Sequence, residues 1–345
     1  MNLAQLFGIA LPLIQAPMAG VQGSALAIAV CNAGGLGSLP CAMLGADALR
    51  EELSRIRAGT DKPFNVNFFC HAQPTVDAVR TARWTAALTP YYQEFGIDPA
   101  TISAGPGRLP FDANAADILD QFRPEVVSFH FGLPSADLLA RARAHGAKIL
   151  SSATTVEEAR WLEAHGVDAI IAQGLEAGGH RGTFLSDDLT TQVGTIALLR
   201  QVVQAVKVPV IAAGGIADAA GVAAAMALGA AGVQIGTAYL LCPESTTSAV
   251  HRAALCGQAA AHTALTNLFT GRPARGIVNR IMRELGPINV ADAPAFPLAT
   301  AAIAPLRAAA EQRGSGDFSP LWSGQNASGC KPIPAAELTR ELMGM

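Results

Sequence analysis

The chain has 345 residues, 50% of them hydrophobic and 15% charged, with a formal net charge of −3. This composition suits a compact α/β enzyme and excludes a disordered chain, and the weak negative charge excludes a broad nucleic-acid surface. No apolar run reaches the ~18 residues of a membrane span, and no Lys or Arg precedes Arg50, so neither an anchor nor a secretory leader is expected.

Short apolar runs alternate with helical stretches along the chain. Strands are expected at Leu13–Gln15, Gly35–Ser38, Phe64–Phe68, Val126–Phe129, Lys148–Ser151, Ala169–Gln173, Val210–Ala213 and Gly232–Ile235. Continuous apolar runs of this length fit parallel strands covered on both faces. Eight such strands with helices between them predict a (β/α)₈ TIM barrel; an open doubly wound sheet is the alternative. One repeat shows the local logic. The strand Lys148–Ser151 is followed by a capping-box pair, Thr154 and Glu157, then by Val156, Ala159 and Leu162 on one helix face. Gly166 can end that helix in a left-handed conformation. Ala-His-Gly at helix ends accounts for His145 and His165 as structural residues.

Two stretches interrupt the alternation. Residues 74–122 hold a longer helical segment and the turn-rich Ser103–Pro110. Residues 242–300 follow the eighth strand, and apolar pieces at Thr266–Phe269 and Ile277–Leu285 predict a small helical insertion over the barrel mouth. The barrel is thus expected from 1–241 and 301–345, with a helix at Ala301–Gln312 returning to it. The tail carries Leu321-Trp322-Ser323-Gly324-Gln325, an apolar patch that should dock against the body. Cys31, Cys41, Cys70, Cys242, Cys256 and Cys330 form no C-x-x-C pair, so reduced thiols in the cytoplasm are expected and no metal site.

The strongest chemical signal is a pair of loops. Ala213-Gly214-Gly215-Ile216 follows the seventh strand, and Gln234-Ile235-Gly236-Thr237 ends the eighth. Barrels often seat a phosphate at that rim on main-chain N–H groups. Glycine permits close approach of the backbone to the oxygens. A second signal is Gln173-Gly174-Leu175-Glu176-Ala177-Gly178-Gly179-His180-Arg181-Gly182, after the sixth strand. Its glycines let a loop run close to a flat ligand. His180 sits at the C-terminal end of a strand, where barrel enzymes place catalytic groups, and imidazole exchanges protons near neutral pH. Glu176 and Arg181 are candidates for orienting this loop through ion pairs. Met18, in Gln15–Gly20, lies either against a ring system or in the top of the core. Asn65 and Asn67 alternate into the barrel and need partners. His130 tops the fourth strand as a candidate substrate contact.

Together, Gln15–Gly20, Asn65–Phe68, Ser128–Pro134 and Gln173–Gly182 resemble the motif set of the class I nitronate monooxygenases, formerly 2-nitropropane dioxygenases. The likeness runs from residue 13 to 237 and includes the tail Trp322–Gln325. It implies a TIM barrel with FMN at its mouth, contacted by Ala16, Pro17, Met18, Asn67, Gln173, Gly178, Gly179, Gly214, Gly215, Gln234, Ile235, Gly236 and Thr237. Met18 would lie beside the isoalloxazine. His180 would be the catalytic base and, with His130, a substrate contact. The family oxidises anionic alkyl nitronates, such as propionate 3-nitronate, with O₂ to a carbonyl compound and nitrite. Such a protein would act as a monomer or homodimer on small molecules.

The flavin-dependent enoyl-acyl-carrier-protein reductases share the Gly-Gly-His loop and both phosphate loops. An NAD(P)H-dependent flavin reductase is therefore the second reading, and a non-catalytic flavin- or phosphate-binding protein the third. Asn65–Phe69, the run Ser128–Pro134 and the Trp322–Gln325 tail favour the monooxygenase.

Overall fold

Eight short parallel strands form the frame: β1 (Leu13–Gln15), β2 (Ser38–Pro40), β3 (Asn65–Phe69), β4 (Val126–His130), β5 (Lys148–Ala153), β6 (Ala169–Gln173), β7 (Val210–Ala213) and β8 (Gly232–Ile235). The computed structural model describes residues 3–102 and 107–345. Residues 103–106, within the turn-rich Ser103–Pro110, lie outside the described residues. The hydrogen-bonded order is β1-β8-β7-β6-β5-β4-β3-β2. A parallel bridge between Ile14 and Leu36 joins the two ends, so the sheet closes on itself as a TIM barrel.

Each strand is a run of small or branched apolar residues because both faces are covered. Outward residues such as Leu13, Val66, Val127, Ile149 and Ile170 pack under the surrounding helices. Inward residues such as Ile14, Leu36, Val126, Leu150 and Ile211 form a separate cluster with Leu3 and Phe7 of the helix Leu3–Phe7. That helix sits at the strands' N-terminal ends, where Leu3 N–H donates to Ala231 O. Burial of each such side chain contributes about 1.5–3 kcal/mol. β2 begins three residues later than expected. The preceding glycines instead let the helix Ser24–Asn32 cross directly over the backbone: a Cβ on Gly37 would lie 2.1 Å from Ala27 O.

Nearer the mouth the interior turns polar. Asn65 donates to the hydroxyls of Ser38 and Ser128 at 3.0 and 2.9 Å, and Asn67 donates to Ser128 Oγ at 2.9 Å. Gln15 Oε1 accepts from Ser38 N–H at 3.0 Å. The inward amides thus find their partners in Ser38 and Ser128 across β1–β4, with Asn65 Oδ1 left buried without a hydrogen bond.

The helix after β5 starts one residue later than the sequence pattern suggested. Thr155 is the N-cap and accepts from Glu158 N–H. The Glu158 carboxylate reaches back to Thr154 N–H and Oγ at 2.7 Å each. Glu158 is the better partner because it points inward and also accepts from Phe184 N–H, whereas Glu157 faces solvent.

The segment after β8 is not purely helical. It holds the helices Ala249–Cys256 and Arg280–Glu284, and between them an antiparallel hairpin of β9 (Thr263–Thr266) and β10 (Ala274–Ile277). Thr263, Thr266 and Ile277 are β-branched, a preference that a helix-length apolar pattern obscured. The helix Ala299–Gln312 also does not return to the barrel as expected. It packs Ile303, Leu306 and Ala310 against Trp84, Leu88 and Tyr92 of the helix Ala78–Phe95, with Leu268, Phe269 and Ile281 completing a second core. Tyr92 seals that contact by donating its hydroxyl to Ala302 O at 2.6 Å. The return to the barrel is made by the helix Ala335–Leu342, whose Ala335, Leu338 and Leu342 join the outer barrel core.

Candidate active site

The C-terminal ends of the strands surround a cleft of about 1350 Å³, its open mouth included. Every cofactor, catalytic and substrate residue singled out from the sequence lines it, from Ala16, Pro17 and Met18 after β1 to Thr237 after β8. Three segments add residues that sequence reasoning missed: Arg108 from the turn-rich stretch after β3, His251 from the cap, and Asn326 from the tail, along with Trp322, seen from the sequence only as part of a docking tail.

The loop after β7 adopts backbone that only glycine enters freely, whereas Gly236 in the loop after β8 has φ −114°. Gly214 and Gly215 have φ of +122° and +72°. Sequence chemistry also explains why the tail docks here. Gly324 N–H donates to Thr237 Oγ at 2.9 Å, Gln325 N–H to Glu176 O at 3.0 Å, and Asn326 Nδ2 to Gly215 O at 3.1 Å. One short segment therefore ties together the loops after β6, β7 and β8. Contact is close enough that a Cβ on Gly178 would lie 2.6 Å from Gly324 N.

His180 is held from three sides. Gly179–His180 forms a two-residue strand paired with β10, His180 opposite Ala274 and Gly179 opposite Arg275. Gln173 clamps the loop, donating to His180 O at 2.9 Å while its Oε1 accepts from Gly182 N–H at 2.8 Å. His130 Nε2 donates to the same carbonyl at 3.2 Å, and its Nδ1 meets Ser152 Oγ at 3.0 Å. Both His130 nitrogens are thus engaged by protein. Thr270, in the hairpin loop, contacts His180 Nε2 at 2.9 Å and donates its hydroxyl hydrogen toward Arg272 O at 3.3 Å. That arrangement makes Thr270 Oγ an acceptor of Nε2–H and leaves Nδ1 as the basic nitrogen of His180.

Glu176 and Arg181 orient the loop through hydrogen bonds and not through an ion pair. Arg181 is fully buried and donates to Gly174 O and Gln173 O at 2.7 Å each. Glu176 accepts from Thr195 N–H and Oγ at 2.7 Å each. Each group satisfies main chain that the strand-to-loop turn leaves open, which is worth more there than a partly exposed charge pair. His145 and His165 lie elsewhere, on Asp120 and Trp161.

The electrostatics of the cleft are one-sided. Burial, then the charge of Arg108, holds the His180 imidazole well below 6.5, with His130, Arg272 and His71 adding to the effect. Burial also lowers His130 to about 3 and His251 to about 4. The imidazoles are therefore neutral at physiological pH, so His180 presents an unprotonated ring nitrogen and no resting positive charge. Positive charge comes from Arg108, which burial lowers only to about 10. Phe69, Phe131 and Phe296 wall the space beside His180, with ring centres 6.2, 6.1 and 5.2 Å away. Trp322 closes the other side at 5.5 Å. Phe131 itself sits at φ +70°, a left-handed conformation costly for an aromatic residue, and Gly132 follows it. Strain of this kind gathers where a site is shaped.

The residues fit a flat heterocycle with a phosphate tail. Gln234 Oε1 is buried at the cleft wall without a hydrogen-bond partner, an acceptor waiting for a ligand donor. A cradle of glycines at 178, 179, 214, 215 and 236 lines the same cleft. Met18 flanks the same wall, its sulfur 3.5 Å from where a Gly236 Cβ would stand.

A family model described as nitronate monooxygenase matches residues 1–344. The chain is 45% identical to the nitronate monooxygenase of Paraburkholderia phytofirmans, across 99% of this chain and 93% of that protein. It is 45% identical to the nitronate monooxygenase of Pseudomonas aeruginosa, across 98% and 97% respectively. Among solved structures, a nitroalkane oxidase from Streptomyces ansochromogenes superposes with a TM-score of 0.88 at 40% identity, covering 99% of this chain and 96% of that one. FabK from Thermotoga maritima superposes at 0.71 and 26% identity, covering 100% and 95%.

Proposed function

The chain belongs to the nitronate monooxygenase family of flavin-dependent oxidoreductases, and on that premise we propose that it uses FMN and O₂ to convert alkyl nitronates, propionate 3-nitronate among them, to a carbonyl compound and nitrite. The observation that carries this reading is the neutral, half-buried His180 facing a glycine cradle across an aromatic-walled cleft. FMN, when bound, supplies the electron acceptor.

The chain's own residues do the rest. Main-chain N–H groups at Gly214, Gly215, Gly236 and Thr237 bind the phosphate, and the Asn326 and Gly324 contacts hold those loops in shape. Asn67, Gln173, Gln234 and Ile235 would hold the polar part of the ring, Ala16, Pro17 and Met18 would supply apolar contact to it, and Gly178 and Gly179 would let the loop pass close. His180 Nδ1 takes the α-proton of a neutral nitroalkane, or accepts none when the substrate arrives already ionised. His130 fixes the His180 carbonyl and borders the substrate space. The phenylalanine wall excludes water from the reacting carbon. We place the reaction in the cytoplasm, in keeping with free thiols at all six cysteines.

FMN-loaded protein given propionate 3-nitronate in air, without nicotinamide, should release nitrite, and His180→Ala should lose turnover of neutral nitroalkanes far more than of preformed nitronates. Absence of nitrite would overturn the proposal. The likeness to FabK keeps one competing outcome concrete: rapid bleaching of the flavin by NADH under anaerobic conditions would assign a reductase instead.

A further inference from the structure

We propose that Arg108 determines substrate specificity by binding a carboxylate on the substrate, so that acidic nitronates are preferred over plain alkyl nitronates. This rests on the nitronate reading above and names which nitronates the site selects.

The chain delivers Arg108 to the mouth by a specific clip. Pro110 bridges Phe69 at the end of β3, and Phe111 N–H donates to Phe69 O at 2.8 Å. Two residues earlier, the Arg108 side chain enters the cleft wall. It makes a hydrogen bond to a neutral hydroxyl, Thr300 Oγ, at 3.1 Å. Among the described residues no carboxylate pairs with it, and no Asp or Glu lines the cleft. A guanidinium has five N–H donors arranged to grip a planar anion. The half-buried Arg108 has a single side-chain hydrogen bond, to Thr300, which leaves N–H donors at the cleft wall for an entering anion.

Position assigns which anion. The Phe296 ring stands between Arg108 and His180, its centre 5.8 Å from the Arg108 guanidinium carbon and 5.2 Å from the centre of the His180 ring. A reacting carbon at His180 therefore leaves Arg108 one aromatic ring farther along the substrate. That separation suits an acid group carried a few bonds from the nitronate, not the nitronate oxygens themselves. Arg272 does not compete for this part. Its guanidinium lies 4.1 Å over the Phe131 ring and donates to Thr183.

The experiment compares propionate 3-nitronate with 1-propylnitronate, which has the same carbon count and no carboxylate, on FMN-loaded protein. Arg108→Met keeps the apolar stem and removes the charge; Arg108→Lys keeps the charge and loses the planar grip. Loss of a charge-assisted pair predicts a fall of about 10- to 100-fold in kcat/KM for the carboxylated substrate in Arg108→Met. The alkyl nitronate should change by less than about threefold, a margin well below one charge-assisted bond. Arg108→Lys should fall between. Equal losses on both substrates, or no loss on either, would overturn the assignment. Succinate binding, followed by calorimetry, keeps the two readings apart because it needs no turnover. Weaker binding by the same factor in Arg108→Met supports the carboxylate subsite even if the wild-type protein releases no nitrite, and unchanged binding overturns it.

Discussion

Mild acid should destabilise this protein well before its carboxylates titrate. Four histidines around the cleft, His71 and His251 buried and His130 and His180 half-buried, are neutral: His71 is lowered to about 4, His130 to about 3, His251 to about 4, and His180 well below 6.5. Burial is the leading cause in each. In the unfolded chain each would take up a proton near pH 6.5. Below that pH the unfolded state therefore binds more protons than the folded one, so stability is fully present above 6.5 and falls as pH drops. One pH unit below 6.5, each histidine removes about 1 kcal/mol, and the four together about 4 kcal/mol. Burial, helped by the charges of Arg108 at His180 and of Arg272 at His71 and His130, keeps the folded state neutral through that window. Against a total on the order of 10 kcal/mol, this is a large share. Urea midpoints at pH 7.5, 6.5 and 5.5 should fall progressively and imply uptake of nearly four protons on unfolding at pH 5.5. His251→Gln, which removes one titrating group away from His180, should lower that uptake by about one proton. An uptake of one proton or fewer in the wild type would refute the argument, because it would mean that the buried imidazoles are already charged or already wet.

Other perturbations read the site's construction. Gly178→Ala places a Cβ 2.6 Å from Gly324 N, so the tail must lift from the phosphate loops; FMN affinity should fall at least about tenfold in a flavin-fluorescence titration. Gln173→Ala removes both arms of the clamp across the His180 loop, and a loss of about 10- to 100-fold in kcat with FMN still bound is expected from steady-state kinetics. Thr270→Val deprives His180 Nε2 of its acceptor; turnover of neutral nitroalkanes should drop about 5- to 10-fold, with preformed nitronates much less affected.

The strand positions and the glycine loops were legible because each is a local property. Ala169–Gln173, Val210–Ala213 and Gly232–Ile235 are apolar runs that covering on both faces requires, and they form strands at those bounds. Gly214 and Gly215 mark positive φ, which few other residues tolerate. Since a barrel gathers all its strand ends at one rim, reading the motifs in order was enough to bring His180, Gln173, Asn67 and Gly215 into one cleft.

What the local pattern could not carry was long-range pairing. The hairpin that pins His180 is built from residues 263–277 against residues 179–180. Arg108, an isolated arginine in a turn-rich stretch, becomes a site residue only because Pro110 and Phe111 pair with Phe69. By itself the amino-acid order determined the barrel, its glycine cradle and the imidazole at its rim, because periodicity and backbone freedom are written residue by residue. Only the tertiary structure decided that the imidazole is neutral, which nitrogen is basic and which cation lacks a counter-ion, because burial and distance exist only after remote segments have packed together.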